Sequence, residues 1–467
     1  MKNKQVKRDT WSFTDDNGKI LTRELGEHLI KCFNIVHIKQ TATMSTNVAL
    51  TTPLYSYNPN YGVYEGLTVN GLEPLHKMIY KMTGDIEISS NKINDTIRYI
   101  KANAPTLPFI ETNIIAFKNT LYDVEHDTVL QKDPKIVTTT RMTNTVYNPD
   151  IVEHSQLDTF MHNLFGGKSD DAEMMRFIYE VIGYCLVNNT FAQKFFILYG
   201  EGGNGKSSFL QLLTCLLTEA NVSNIALMDI DGNKFRLAEI MGKFANIGDD
   251  IDSTSILSTA NIKKIVTGDT IMIERKGCNP YSYKPHAKLF FSCNDIPAIY
   301  DTSTGMNDRL VIIPMSNRIR ATPIASPNIV NEIVKSGGLT VLLNRALEGL
   351  RRLRSQGAFT IPPRATAITK TYIEENNHVA LFIRDIENGE VSSWAISNNT
   401  FSDNILPSVE AVCSVDLYKI YTNWSKENGY RPTSEKVLAK AMRRLGYTKS
   451  KKRFNNGNPQ QFWKGTR

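Results

Sequence analysis

The chain has 467 residues, a formal net charge of +7, and 41% apolar, 9% aromatic and 22% charged side chains. These values fit a globular protein of about three domains and exclude collagen-like, low-complexity and disulfide-dense classes. The small cationic excess leans toward a polyanionic partner. No apolar run approaches the about 20 residues that a bilayer-spanning helix needs.

The basic start Met1-Lys2-Asn3-Lys4-Gln5-Val6-Lys7-Arg8 has no apolar segment behind it and does not read as a secretory leader. Cys32, Cys185, Cys215, Cys278, Cys293 and Cys413 are scattered, with no C-x-x-C pair, and read as thiols of a reducing, cytoplasmic compartment. His28, Cys32 and His37 lie close in sequence but lack a fourth ligand, so zinc is not expected.

Up to about residue 150 the pattern is mixed. Leu25 to Ile38 is apolar at helical period, and Thr51 to Leu67, rich in Tyr and Asn, reads as short strands. Gly71 to Met82 and Ser90 to Ile100 read as helices. Phe109 to Val124 reads as paired strands about a Lys118-Asn119-Thr120 turn. Asp123, Glu125 and Asp127 resemble a carboxylate metal cluster but are better read as decoration of a hairpin turn before Val129-Leu130. Two helices follow, one with Phe160 and Leu164, the next with Met174, Phe177, Ile178, Val181, Ile182, Tyr184 and Leu186.

They lead into the stretch that organises the chain. Phe195 to Tyr199 reads as a buried strand. Gly200-Glu201-Gly202-Gly203-Asn204-Gly205-Lys206-Ser207-Ser208 follows, and Phe209, Leu210, Leu212, Leu213, Leu216 and Leu217 continue at helical spacing. Gly200, Gly205, Lys206 and Ser207 fit G-x-x-x-x-G-K-[ST], a phosphate-binding loop. Glycines let backbone amides turn toward phosphate oxygens, and the new helix presents its positive end to them. Lys206 would reach the β- and γ-phosphates and Ser207 would hold Mg²⁺, so ATP with Mg²⁺ is the expected ligand.

A phosphate loop hydrolyses nothing without a carboxylate, a residue that positions water and a cation for the transition state. Phe244 to Gly248 reads as a strand ending in Asp249-Asp250, one acid for the metal and one for the water. Which does which is open, and Asp252 is a fallback. Ala287 to Cys293 reads as the next strand, ending in Asn294-Asp295, where Asn294 would sense the γ-phosphate or hold the lytic water. Arg309 stands immediately before the strand Leu310 to Pro314, as an edge charge or as a finger completing a neighbour's site. The segment after Lys263-Lys264 carries β-like arms, Ile271 to Arg275 and Tyr281 to Lys284, around a tip that begins with Lys276. Such a cationic hairpin suits gripping a nucleic-acid backbone.

Pro327 to Ser355 reads as helical, and Pro362-Pro363 precedes another helix from Ala365 to Arg384. Asn388 to Pro407, rich in Ser and Asn, reads as a linker or exposed loop. The last segment has helices at Val415 to Glu427 and Ser434 to Leu445, then a basic hairpin-like end. Lys436, Lys440, Arg443, Arg444, Lys449, Lys451, Lys452 and Arg453 dominate its charge. Tyr447, Phe454, Phe462 and Trp463 are interleaved, so the end reads as a DNA-contacting helix and wing or as a solvated basic face.

The glycine-rich stretch, Asp249-Asp250, the Lys263 to Lys284 segment, Lys288 to Pro297 and Asp308-Arg309-Leu310 occur in the order of superfamily 3 helicases. The chain resembles in particular the phage and plasmid primase/helicase C-terminal family, relatives of the poxvirus primase–helicase. The motif-bearing likeness covers roughly residues 190 to 320, with weaker likeness around Asn119 to Asp123 and from Tyr418 to Arg467. The resemblance implies an α/β, AAA+-like P-loop NTPase core with a mixed α+β N-terminal domain and a C-terminal winged-helix-like domain. It also implies a hexameric ring moving 3′→5′ on single-stranded DNA.

Carried over, Gly200, Gly202, Gly203, Asn204, Gly205, Lys206, Ser207 and Ser208 bind the nucleotide, and Ser207 with Asp249 binds the metal. Lys206, Asp249, Asp250, Asn294 and Arg309 form the catalytic set, with Arg309 acting in trans. Lys276 matches the DNA-contacting hairpin tip, and Lys263, Lys264, Arg275, Lys440, Arg443, Arg444, Lys451 and Lys452 are the further residues expected to contact DNA. Many relatives have Glu where this chain has Asp-Asp, and the primase domain of long relatives is not evident in the first 150 residues.

The expected division is an N-terminal α+β collar or docking domain (1–150), a helical lead-in and ATPase core (151–320), a helical lid or connector (321–385), and a linker with a basic winged-helix-like domain (386–467). The expected function is an ATP-dependent replicative DNA helicase of a phage, plasmid or mobile element in a bacterial host cytoplasm. Its partners would be single-stranded and forked DNA, other copies of the chain, and a separate primase or initiator. The alternatives are an ATP-switched initiator without processive unwinding, another P-loop motor or a small-molecule kinase.

Overall fold

The computed structural model of the chain describes residues 13–38, 53–68, 71–84, 86–107, 114–136, 145–248, 259–275, 280–297, 299, 304–319, 326–393, 404–430, 432–453 and 459–465. The chain is mixed α/β and divides into two compact units. One comprises residues 1–297 with 308–366, the other residues 298–307 with 367–467.

The first unit opens with α1 (Thr22–Phe33) and β1 (Val36–Ile38). The apolar run Leu25 to Ile38 is therefore not one helix. Asn34 adopts φ +45° and closes α1 through its amide to Ile30 O, a left-handed cap that asparagine tolerates. β-branched Val36 and Ile38 then go to strand pairing. There follow β2 (Leu54–Asn58), β3 (Val63–Gly66), α2 (Glu73–Thr83), α3 (Ser90–Asn103) and β4 (Thr106–Leu107). The sheet order is β3-β2-β1-β4, with β1–β4 parallel and the other pairs antiparallel. Leu25, Leu29, Leu75, Ile79, Ile93, Ile97 and Ile100 bring the three helices onto one core.

β5 (Ile114–Ala116), β6 (Leu121–Asp123) and β7 (Thr128–Leu130) form an antiparallel meander. Asp123 Oδ1 accepts the amides of Glu125 (2.9 Å) and His126 (3.3 Å), the work of a turn residue. Asp127 accepts from Tyr122 and from Arg351 Nη2 (2.7 Å). Ile115, Phe117, Tyr122 and Val124 share a core with α4 (Ser155–Phe165) and α5 (Asp171–Cys185).

The α/β layer runs β8 (Phe195–Tyr199), α6 (Lys206–Leu217), β9 (Val222–Ser223), α7 (Leu227–Gly232), β10 (Ala245–Gly248), α8 (Ala260–Thr267), β11 (Ile271–Ile273), β12 (Tyr281–Tyr283) and β13 (Lys288–Cys293). After α9 (Thr304–Asn307), which falls in the second unit, come β14 (Leu310–Pro314), α10 (Ile329–Lys335) and α11 (Gly338–Gln356). The five-stranded sheet has the order β14-β8-β13-β10-β9, every pair parallel. Burial on both faces explains why β8 and β13 are nearly continuous apolar runs.

Helices α5 and α11 pack backbone to backbone. A Cβ on Gly183 would lie 2.1 Å from Ala346 O, and one on Gly349 would lie 2.5 Å from Tyr179 O. Beside this contact the fully buried Glu180 accepts from Arg352 Nε (2.7 Å), Thr360 N (2.7 Å) and Thr360 Oγ1 (2.8 Å). Asn344 of α11 also donates to Asn148 O (2.7 Å) and Ile151 O (2.8 Å). The helix thus ties the segment before α4 to the same body.

In the second unit lie most of α12 (Pro363–Glu375), then α13 (His378–Glu387), α14 (Ser414–Glu427), α15 (Glu435–Arg444), β15 (Tyr447–Lys452) and β16 (Gln460–Gly465). The expected single helix from Ala365 to Arg384 is two. Asn377 breaks it and caps α13, its Oδ1 accepting the Ala380 amide at 3.2 Å. β15 and β16 pair antiparallel, and Phe382, Leu417, Tyr421, Trp424, Leu438, Met442 and Trp463 form the core. Within the stretch read as linker, Val391 and Leu406 are buried in that core and joined by a 2.9 Å backbone bond, so its ends are anchored by apolar contact. Residues 394–403 lie outside the described residues.

Candidate functional site

The glycine-rich loop lies where β8 ends and α6 begins. Gly200 N donates to Cys293 O (3.3 Å), extending the sheet by one bond before the chain turns. Gly203 and Gly205 adopt φ +87° and +81°, a region costly for any residue with a Cβ. A Cβ on Gly200 would lie 2.2 Å from Met315 O, and one on Gly205 would lie 2.4 Å from Leu164 Cδ2. Gly202 faces open space. The first amides of α6 have no partner inside their own helix, which makes this end suited to an anion.

Lys206 is 7% exposed, and its ammonium donates to Gly200 O, to Glu201 O (3.2 Å) and to Asn294 Oδ1 (2.9 Å). Two residues far apart in sequence therefore meet, because parallel pairing brings the ends of β8 and β13 side by side, Tyr199 opposite Cys293. Asn204 is buried and donates its amide to Met315 O. Ser207 is exposed at the start of α6, and Ser208 is half-buried.

A segment that the motif reading overlooked closes one side of the loop. Met315 N donates to Tyr199 O (2.7 Å) and Ile319 N to Gly203 O (3.1 Å). Asn317 Nδ2 donates to Asn163 O (3.0 Å) and Gly166 O (2.9 Å), and Arg318 pairs with the Glu201 carboxylate. No sequence pattern announces this strap. Its only local signal is an Asn-Arg pair shortly after the strand that ends at Pro314.

Asp249, Asp250, Asp252 and Lys276 lie outside the described residues. The preceding Gly248 ends β10 opposite Phe291, on the edge that carries Asn294 and the loop. Arg309 is not brought to Lys206. It precedes β14, and its carbonyl accepts from Phe195 N at the start of β8 (2.9 Å). The length of a strand, roughly 15 Å at about 3.3 Å per residue, separates it from the loop edge. Lys194 donates to Asp308 O beside it, and burial, with the Arg309 charge adding to it, holds the Lys194 ammonium below its ordinary range.

Lys263 and Lys264 lie on α8, with Lys264 exposed. The arms β11 and β12 pair as a hairpin, Ile271 opposite Tyr283, and Arg275 is half-buried near Met241. In the second unit Lys440, Arg443 and Arg444 are exposed on α15, opposite the buried Leu438, Ala439 and Met442. Lys451 and Lys452 are exposed on β15, with Lys452 over the Phe462 ring and Lys449 over Trp463.

His28 and Cys32 meet (3.3 Å), but His37 turns to Lys101 O (3.0 Å). Among the described residues no group of three or more His, Cys, Asp or Glu is arranged to hold a metal ion. Nor is any described helix long and apolar enough to cross a membrane.

Residues 22–166 match the family described as D5 N terminal like, and residues 198–309 match a family of unknown function, DUF5906. Over 160 residues the chain is 28% identical to a protein of Acanthamoeba polyphaga mimivirus that bears the name putative helicase. That stretch is 32% of this chain, and it spans only 16% of the relative's length. Among solved structures, two apo structures of the C terminal region of NrS-1 align with TM-scores of 0.49 and 0.48 at 11% and 13% identity. Each alignment covers 94% of this chain and 98% of the other. The chain is thus similar over residues 22–166 to a D5 N terminal like segment, and over 160 residues to part of a viral helicase-named protein.

Proposed function

We propose that the chain is an ATP-driven DNA helicase of the superfamily 3 kind, acting in replication of a phage, plasmid or other mobile element. The observation that carries this reading is the Lys206 ammonium, held between two loop carbonyls and Asn294 at the neighbouring strand end. Such a cation, with the open amides of α6 and glycines where a Cβ would collide, suits a nucleoside triphosphate. The exposed Ser207 hydroxyl suits one position of a Mg²⁺ ion that otherwise keeps waters and phosphate oxygens. When bound, the ion would offset charge on the β- and γ-phosphates. Asp249 is proposed as a further ligand, and one of Asp249 and Asp250 as the base for water.

The helicase-named relative supports a nucleic acid as the polymer, which we take to be DNA. In an AAA+-like P-loop core assembled as a ring, Arg309 would serve the neighbouring copy's site, which accords with its position at the far end of β14. Lys263 and Lys264 of α8, with Arg275 and Lys276 of the hairpin segment, would grip one strand and move 3′→5′. The second unit would act as a winged-helix-like domain, contacting DNA through Lys440, Arg443, Arg444, Lys451 and Lys452. Its exposed cations also support the second reading, an initiator that uses ATP only as an assembly switch. Unwinding of forked duplexes with 3′ or 5′ tails, with ATP and with a non-hydrolysable analogue, tests the proposal. Binding and ATP turnover without strand displacement would favour the initiator.

A further inference from the structure

We infer that Arg318 is a nucleotide-contacting residue, parked on Glu201 and transferred to the anionic part of the nucleotide when it binds. The inference rests on the nucleotide reading of the loop and extends it to a residue outside the motif.

Arg318 is held at the loop by its neighbours. Asn317 is anchored to the carbonyls of Asn163 and Gly166, and Ile319 donates to Gly203 O while its side chain fills the space beside Gly205. Between these two anchors the Arg318 side chain is 72% exposed, and its end meets the Glu201 carboxylate, itself 73% exposed. A solvent-exposed pair of this kind contributes little to stability, so its position is better explained by what it faces.

Glu201 stands inside the loop, and its own carbonyl accepts from Lys206. A carboxylate there repels any polyphosphate that enters. Arg318 neutralises it, and the planar guanidinium can exchange one oxyanion for another, since carboxylate and phosphate present the same paired acceptors to its fork. The arriving triphosphate carries more charge than one carboxylate, so the exchange favours the nucleotide.

The test is equilibrium binding of a fluorescent, slowly hydrolysed ATP analogue with Mg²⁺ to the full chain. The variants are Arg318→Ala, Glu201→Gln, the double substitution and Lys206→Ala, each checked for an unchanged circular-dichroism melt. Arg318→Ala should weaken binding about tenfold, Glu201→Gln should tighten it, and the Arg318→Ala loss should persist in the Glu201→Gln background. Loss that vanishes in that background would mean Arg318 only neutralises Glu201, which overturns the inference, as would no loss at all. If Lys206→Ala binds as the unaltered chain does, the nucleotide reading of the loop fails, and the inference with it. If Lys206→Ala abolishes binding while Arg318→Ala does not weaken it, only the inference fails.

Discussion

Replacing Gly183 by alanine tests how rigidly the helical layer behind the sheet is built. The new methyl would face Ala346 O at 2.1 Å, Leu350 Cβ at 2.9 Å and Leu350 N at 3.0 Å. In its favour stand about 1 kcal/mol of helix propensity and about 0.8 kcal/mol for one more buried carbon. Against it stands overpacking at the upper end of about 1–3 kcal/mol, because two of the facing atoms are backbone and move only with α11. Parting the helices by about 1 Å also forfeits a quarter to a half of the dispersion well at each contact. That loss falls on Val341, Leu342, Ala346 and Leu350, and it loosens the buried Glu180–Arg352 pair.

Repulsion therefore wins, and a net loss of about 2 kcal/mol is expected. Urea unfolding followed by circular dichroism measures it. Gly232→Ala at the end of α7 serves as control, since nothing lies within 4 Å of its Cβ, and it should be at least as stable as the unaltered chain. A Gly183→Ala chain as stable as the control would refute the backbone-to-backbone packing of α5 on α11.

Asn294→Ala should lower ATP turnover about 100-fold while leaving equilibrium binding of the ATP analogue within about threefold, as expected for a group that acts on the γ-phosphate or the lytic water. Equal loss of binding and turnover would contradict that role. Removing Lys440, Arg443 and Arg444 together should reduce the slope of log affinity for duplex DNA against log salt by about 2 to 3, and an unchanged slope would remove α15 from the interface. His378 is buried between the rings of Tyr421 and Tyr430, and burial lowers its pKa. The unfolded chain therefore takes up the proton first as pH falls. His378 thus favours the folded state fully above its ordinary pKa of about 6.5, and that contribution is lost as pH drops through the lowered folded value. His378→Phe should flatten the stability profile of the second unit between the ordinary and the lowered value, and identical profiles there would count against it.

The strand, loop and helix around Lys206 were legible because each rests on local chemistry: an apolar run, glycines at special φ, and helical spacing. The meeting of Asn294 with Lys206 was legible through motif order. Other contacts carry no such signal. Arg318 reaches Glu201, and Glu180 reaches Arg352 and Thr360, across long sequence separations that only the sheet and helix packing determine. The helix breaks at Asn34 and Asn377 were written locally, in residues suited to a left-handed cap and to an N-cap, but apolar periodicity ran across both. Val391 and Leu406 look like stray apolar residues in a polar stretch until the core they share with Trp424 is seen.

If ATP turnover at the Lys206 loop drives strand separation, displacement must depend on hydrolysis, on tail polarity and on Lys206. Forked duplexes with a 3′ or a 5′ single-stranded tail are mixed with the full chain, with ATP or a non-hydrolysable analogue, and displaced strand is followed in time. Displacement is expected only with ATP and only from the 3′-tailed fork, and none is expected from a Lys206→Ala chain. Displacement that persists in the Lys206→Ala chain, or none under any condition despite ATP turnover, would contradict that expectation.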